Sequence, residues 1–415
     1  MESLRDRVLT NLKERRSRVL EGKINCIPSP FERFSNDYVG LEQGCFYCIT
    51  SSTKGAKSQF TSYTFIYSPL MYCYYHRDID VDLKVLYFPL EETPERILQR
   101  FISWLLFNYS KGEIRISPRD LRSTTNAVSQ EILDIIASDE IQDIIKFFEE
   151  HVLFYTEFNP TGVYKVCKQY AEENGKVYTK AGKYKDEFGN IQETQVFDRY
   201  EQNNPNEYRI IIIDTINLID TERGLSLKQS MDKLSEYLAK YLRNRYNFSP
   251  VVIQQQAFSG EDNDSFKMGR VSPSIANLGD SKYISRDANL VIGLFSPFKF
   301  GLPEYKGYNI KKFKDNIRFV EILVSRDGEM GGVLPLFFDG ATCTFKELPL
   351  PDDSKSLEKW YSYLNKLREV PKIINTTHTL FLTLSKNYSK RIGGPKIKQY
   401  FCTLFRKIQL TKSKK

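Results

Sequence analysis

The chain has 415 residues, of which 41% are hydrophobic and 27% are charged. This length can hold one large α/β domain or two ordinary domains, and the composition is that of a soluble globular protein. A membrane span and a secretory signal are not expected, because no apolar run is long enough, and the seven scattered cysteines favour a reducing cytoplasm over a disulfide framework.

The net charge of +8 is unevenly distributed along the chain. Residues 371–415 contain 11 Lys or Arg and no Asp or Glu, so they carry +11 while residues 1–370 carry −3. The body is therefore not globally basic, and any nucleic-acid contact within it must come from local loops. The basic tail is either a helix that holds DNA or a partner, or a poorly ordered solubilising segment.

The predicted elements begin with a helix over residues 1–20, which has an apolar stripe of Leu4, Val8, Leu9 and Leu12. A proline-containing linker follows this helix. The chain is thereby divided into an N-terminal helix and linker over 1–25, an α/β domain over 26–350 and a basic tail over 351–415.

The central segment alternates strands with helices. In chain order we predict a strand at 45–50, a helix at 58–75, a strand at 84–88, a helix from Pro94 toward Tyr109, two helical stretches within 117–153, a β-hairpin insertion at about 160–207, a strand ending at Asp214, a helix at 227–245, a strand at 250–256, a polar loop at 258–281, and strands at 288–295, 318–325 and 333–338. This order predicts a wound, mainly parallel sheet flanked by helices, with a β-hairpin insertion.

The loop between the first two of these elements has the pattern of a phosphate-binding loop. An apolar strand leads to Lys57 and Ser58 at the start of a helix, where Lys57 would neutralise the β- and γ-phosphates and Ser58 would coordinate Mg²⁺. Ser51 and Ala56 stand where such loops usually have glycine. The predicted nucleotide-binding residues are Ser52, Thr53, Lys54, Gly55, Ala56, Lys57, Ser58 and Gln59.

Two carboxylates follow other strands. Asp214 ends a run of four isoleucines and is predicted to order the Mg²⁺ shell, although a lone Asp at a strand end often only caps the next element. Glu91 ends the strand at 84–88 and could activate the attacking water. Alternatively, Glu91 and Glu92 only stabilise the first turn of the next helix.

Six motifs occur in an order and spacing known from one family. They are Lys57-Ser58, Pro89-Leu90-Glu91, Ile213-Asp214, the run VVIQQQ at 251–256, the run SRDANLV at 285–291 and Ser325-Arg326-Asp327-Gly328. Together they resemble the RecA-like motor domain of DnaB-family replicative helicases over about residues 27–348. The resemblance implies ATP and Mg²⁺ as cofactors. It assigns Glu91 to polarise water, Gln256 to sense the γ-phosphate and Arg326 to reach the nucleotide of a neighbouring subunit.

The resemblance also implies a homo-oligomer, a hexameric ring on single-stranded DNA, with a primase or a loader as a further partner. Two loops follow the family's pattern of DNA-contacting pore loops, one with Arg223 and Lys228 and the other with Lys267 and Arg270. Alternatively, both are ordinary solvated loops. The stripe of helix 1–20 would pack either on a neighbouring subunit or on its own domain.

The sequence departs from the family at several points. Val324 stands where the family usually has a Lys, Ala56 replaces a Gly, and only helix 1–20 represents the family's N-terminal helical domain. A RecA-type recombination ATPase and a weakly hydrolysing nucleotide-binding assembly or loading factor therefore remain as alternatives to the helicase.

Overall fold

The computed structural model describes residues 3–35, 38–185, 188–257, 272–279, 282–326, 328 and 331–369. Lys267, Arg270 and the basic tail from residue 371 lie outside the described residues. Among the described helices, none is both long and apolar enough to cross a membrane.

A nine-stranded sheet organises the described residues, and a two-stranded hairpin projects beside it. The strands are β1 (Tyr47–Ser51), β2 (Asp82–Pro89), β3 (Val152–Phe154), β4 (Gly175–Lys185), β5 (Ile191–Gln202), β6 (Glu207–Asp214), β7 (Ser249–Gln255), β8 (Leu290–Phe295), β9 (Ile317–Ser325), β10 (Val333–Asp339) and β11 (Thr344–Glu347). Two short strand pairs, Ile27–Pro28 with Gly40–Leu41 and Glu304–Tyr305 with Tyr308–Asn309, lie outside the sheet.

The sheet has the order β11-β10-β9-β8-β1-β7-β6-β2-β3. The six strands from β8 to β3 are mutually parallel. The remaining three continue the sheet in antiparallel fashion. The predicted mainly parallel α/β sheet is therefore confirmed, and the carboxyl ends of its parallel strands all lie at one edge.

Helices cover both faces of the sheet. They are α1 (Leu4–Leu20), α2 (57–75), α3 (Pro94–Tyr109), α4 (Pro118–Leu121), α5 (Gln130–Ile136), α6 (Asp139–His151), α7 (Pro160–Glu173), α8 (227–246), α9 (Tyr283–Asp287), α10 (Ile310–Phe313) and α11 (Ser354–Glu369). Alternate residues of β1 and of the position before it show the layering, because Tyr47 and Ile49 belong to the core cluster on one face and Phe46 and Cys48 to the cluster on the other.

The predicted insertion begins with a helix, and only its second part is a hairpin. Asn159 caps helix α7 by accepting a hydrogen bond from the Gly162 amide at 2.9 Å. Val163, Cys167 and Ala171 recur at intervals of four residues and are fully buried. A hairpin was predicted for the whole segment because Tyr, Val and Lys alternate further along it. That alternation does form the antiparallel pair β4–β5.

The first part of the predicted basic tail also folds against the domain. Helix α11 places Leu357 and Leu364, seven residues apart, in a cluster with Phe313 and Phe337. Leu364 is fully buried. Residues 354–369 are therefore part of the packed body, whereas the sequence analysis assigned them to the tail.

Helix α1 stands apart from the core. It has no buried residue, and the side chains of Leu4 and Leu12 on its predicted stripe are 70% and 59% exposed. Its last turn is held by polar contacts, in which Arg18 donates to the Ile24 carbonyl and to the Asn206 side chain. The stripe does not pack on its own domain.

Candidate nucleotide site

Four of the sequence motifs meet at the carboxyl edge of the sheet. Residue Ser51 at the end of β1 lies opposite Gln255 of β7, and Pro89 at the end of β2 lies opposite Asp214 of β6. Because β7 and β6 are themselves paired, the phosphate loop, Asp214 and the segment before helix α3 are neighbours. This is the edge at which ligands bind in open parallel sheets.

The loop between β1 and α2 follows a tight path. A β-carbon on Gly55 would lie 2.2 Å from Ser51 Oγ, so only glycine fits there. Lys54 and Ala56 have φ angles of 58° and 71°, in the left-handed region that favours glycine. The helix that begins at Lys57 runs on to residue 75 and directs its first amides at this loop. This is the local geometry of an anion site at a helix N-terminus.

Substitution of Ala56 by glycine should relieve backbone strain. A left-handed L-residue costs about 1–2 kcal/mol, and the larger entropy of an unfolded glycine offsets part of that cost. We expect Ala56→Gly to raise the free energy of unfolding by up to about 1 kcal/mol in denaturant titration. The matched control is Ala137→Gly, since Ala137 has a φ of −78° and no such strain. If Ala56→Gly destabilised the protein as much as the control, the strain argument would be wrong.

Asp214 is bound on both carboxylate oxygens. Ser58 Oγ donates to Oδ1 at 2.8 Å, and the Tyr87 hydroxyl donates to Oδ2 at 2.9 Å. Asp214 is 6% exposed, and burial raises the pKa of its carboxyl despite these two hydrogen bonds and the nearby Arg100 charge, which lower it. A hydroxyl beside one buried carboxylate suits Mg²⁺, which takes one or two protein carboxylates together with phosphate oxygens.

The two adjacent glutamates after β2 have different environments. Glu92 forms an ion pair with Arg100 of helix α3, whose side chain is buried. Glu91 is exposed and close enough to raise the pKa of Asp214 by its charge. The helix-stabilising alternative therefore describes Glu92 better than Glu91, which remains the predicted water-polarising carboxylate.

The glutamine run at the end of β7 brings a second glutamine, next to Gln256 in sequence, to the phosphate loop. Gln255 Nε2 donates to Thr53 Oγ1 of the phosphate loop at 2.7 Å. The Gln256 amide donates to the Ser51 carbonyl at 3.0 Å, and its buried side-chain Nε2 has no hydrogen-bond partner among the described residues. The assignment of Gln256 to the γ-phosphate stays a prediction, and Gln255 joins it as a candidate.

Arg326 lies at the opposite edge of the sheet. Its amide donates to the Asn289 carbonyl at 3.0 Å, and Asn289 in turn accepts from the Phe46 amide at the start of β1. The five-residue step from Phe46 to Ser51 spans about 16 Å along a strand. Arg326 is therefore remote from the phosphate loop of its own chain.

A second arginine accompanies Arg326. Burial, with the nearby charge of Arg326, lowers the pKa of Arg243. The Arg326 guanidinium also donates to the Arg286 carbonyl. This edge therefore presents a concentration of positive charge away from the nucleotide site of the same chain.

Of the predicted DNA-contacting residues, Arg223 and Lys228 can be placed. Arg223 is exposed in the loop that follows β6 at the carboxyl edge, and Lys228 is exposed in the first turn of helix α8. The loop is held by Glu222, which accepts hydrogen bonds from the Thr161 amide at 2.7 Å and from Lys233. The structure does not bear on the second loop, since Lys267 and Arg270 are outside the described residues.

Two solved structures are similar to this chain in fold. A structure described as the ATPase domain of G40P has a TM-score of 0.58 and 15% identity, and the match covers 84% of this chain and 100% of that chain. A DnaB-like replicative helicase, described with its interactions with primase, has a TM-score of 0.53 and 16% identity over 84% of this chain and 68% of that chain. The chain therefore has the same RecA-like α/β fold as these two structures.

The recognition of the DnaB-type fold from six dispersed motifs is thereby confirmed. A structure described as the RadB recombinase has a TM-score of 0.39 and 10% identity, and the match covers 78% of this chain and 100% of that chain. This similarity is too weak to indicate a shared fold. No protein-family model and no curated protein sequence matches the chain.

Proposed function

We propose that this protein is an ATP-driven DNA helicase of the DnaB type, a ring motor that moves along single-stranded DNA. The observation that carries the proposal is the contact between Ser58, at the end of the phosphate loop, and Asp214, at the end of the isoleucine strand. It joins a phosphate-binding backbone to a buried carboxylate, which is the pairing that a Mg²⁺-bound triphosphate requires.

In this proposal each residue of the site has one role. Lys57 neutralises the β- and γ-phosphates, Ser58 and Asp214 hold Mg²⁺, and Glu91 orients the attacking water. Gln256 or its neighbour Gln255 senses the γ-phosphate and couples its presence to the conformation of the loop that follows β7. When bound, Mg²⁺ neutralises phosphate charge as it develops during transfer.

The position of Arg326 supports a site shared between subunits. An arginine at the amino edge of the sheet cannot serve a phosphate loop at the carboxyl edge of the same chain. It suits a neighbour whose carboxyl edge faces it, as in a hexameric ring, and the exposed stripe of α1 offers that neighbour a further contact. Single-stranded DNA in the pore, a primase or loader, and the cytoplasm of a bacterium or an infected bacterial host complete the proposal.

Stimulation of ATP hydrolysis by DNA tests this function. We expect phosphate release at saturating Mg²⁺ and ATP to rise when single-stranded DNA is added, and the rate per chain to rise with protein concentration as subunits assemble. Duplex DNA without a single-stranded tail serves as the control substrate and should stimulate less.

The same assay separates two other candidates. The strained residues Lys54 and Ala56 in the phosphate loop favour a nucleotide-binding assembly or loading factor with little hydrolysis. That candidate predicts tight nucleotide binding and no stimulation by DNA. A recombination ATPase predicts stimulation together with open filaments, rather than closed rings, in electron micrographs.

A further inference from the structure

Lys299 lies against the phosphate loop without belonging to any of the sequence motifs. It sits in the single turn Pro297–Phe300 that follows β8, the strand next to β1. Its Nζ donates a hydrogen bond to the Thr53 carbonyl at 3.0 Å, across 246 residues of sequence. A lysine from the neighbouring strand therefore reaches the backbone that would surround the phosphates.

Thr53 is held from two directions. Lys299 reaches its carbonyl from the side of β8, and Gln255 reaches its hydroxyl at 2.7 Å from the side of β7. Because β1 lies between β7 and β8 in the sheet, Thr53 is contacted by the last residue of one flanking strand and by the turn that follows the other. The loop is thus braced across its first half.

The backbone of the loop gives a reason for this brace. Lys54 directly follows Thr53 and has a φ of 58°, and Ala56 has a φ of 71°. Such conformations persist in residues other than glycine only where surrounding contacts hold them. The contact from Lys299 is charge-assisted, because its donor is an ammonium, whereas the contact from Gln255 is shorter and partly buried.

We propose that Lys299 is a positioning residue of the nucleotide site, which holds the phosphate loop in its anion-binding shape through Thr53 and sets the affinity for a nucleoside triphosphate. This inference rests on the proposed function and adds to it a residue outside the phosphate-loop, Asp and Glu motifs. The ammonium also adds a positive charge, besides those of Lys54 and Lys57, beside the loop that takes the phosphates.

The test compares Lys299→Met, which removes the donor and the charge, with Lys299→Arg, which keeps both. Lys311→Met is the matched control, since Lys311 is an exposed lysine on α10. Two quantities are measured on the full chain. They are hydrogen exchange of residues 52–58 without nucleotide, and the dissociation constant of a fluorescent ATP analogue with Mg²⁺.

We expect Lys299→Met to speed exchange in residues 52–58 and to weaken nucleotide binding by about tenfold or more, as for the loss of one hydrogen bond to a charged group. KM for ATP should rise more than kcat falls, because Lys299 acts through the loop. Lys299→Arg should restore most of the affinity, and Lys311→Met should resemble the unmodified protein.

Unchanged exchange in Lys299→Met would overturn the brace, and unchanged affinity would overturn the effect on the nucleotide. If the unmodified protein bound no Mg²⁺-ATP, the proposed function would fail together with the affinity claim. The exchange of residues 52–58 would then still decide whether Lys299 holds the loop.

Discussion

Lys57→Ala and Arg326→Ala should each abolish ATP hydrolysis, and a mixture of the two proteins should recover part of it. Lys57 lies at the N-terminus of α2, whereas Arg326 lies beside Asn289 at the other edge of the sheet. An arginine donated across a subunit boundary contributes about 10³–10⁵ in rate to phosphoryl transfer. In a mixed assembly, some interfaces combine an intact phosphate loop with an intact arginine, and those interfaces should turn over.

The measurement is phosphate release against the mixing ratio of the two proteins, with co-assembly verified by mass. Exposed residues elsewhere give the matched controls, Lys311→Ala and Arg119→Ala, which should hydrolyse ATP normally. Verified co-assembly without any recovery at any ratio would show that Arg326 does not act on a neighbouring site.

Glu91→Gln should lower the rate of ATP hydrolysis, whereas Glu92→Gln should lower the stability of the fold, although the two residues are adjacent. Glu91→Gln removes the group that orients water, and we expect hydrolysis to fall by about 10²–10⁴ while nucleotide binding and stability are kept. Glu92→Gln removes the charge partner of the buried Arg100. It should lower the free energy of unfolding by about 1–3 kcal/mol, less than for a fully buried pair, because the Glu92 side chain is 37% exposed.

Denaturant titration and single-turnover hydrolysis on both variants distinguish these outcomes, with Glu95→Gln in the first turn of α3 as the control. Stable but inactive Glu92→Gln, together with active Glu91→Gln, would mean that the two roles are reversed.

The fold could be predicted because its strands are marked by composition. Four consecutive isoleucines are typical of the middle of a parallel sheet covered on both faces, and in β6 all four are fully buried. Helix α7 was missed because its buried Val163 and Cys167 stand among tyrosines and lysines that also fit a strand pattern. Helix α11 was missed because a basic composition beyond it dominated the interpretation.

The site could be predicted only where its residues lie at the ends of strands or helices that the sequence itself marks. Lys57, Ser58 and Asp214 are fixed by the ends of a strand or helix, so their meeting follows from the parallel sheet. The glutamine run could not be resolved, because a shift of one residue turns a side chain to the other face of β7. Tyr87, Arg100 and Lys299 approach the site through packing between distant segments, which no local pattern records.

The opposition of Arg326 and the phosphate loop across the sheet has a consequence for how many working centres an assembly of this protein contains. Under the proposed arrangement, contacts are head-to-tail, so two joined chains would complete one centre and leave the other phosphate loop without its arginine. An open row of chains would always leave one terminal loop incomplete. Only in a closed ring is the number of complete centres equal to the number of chains. Ring closure would therefore raise the activity per chain without any change in the fold of the subunit.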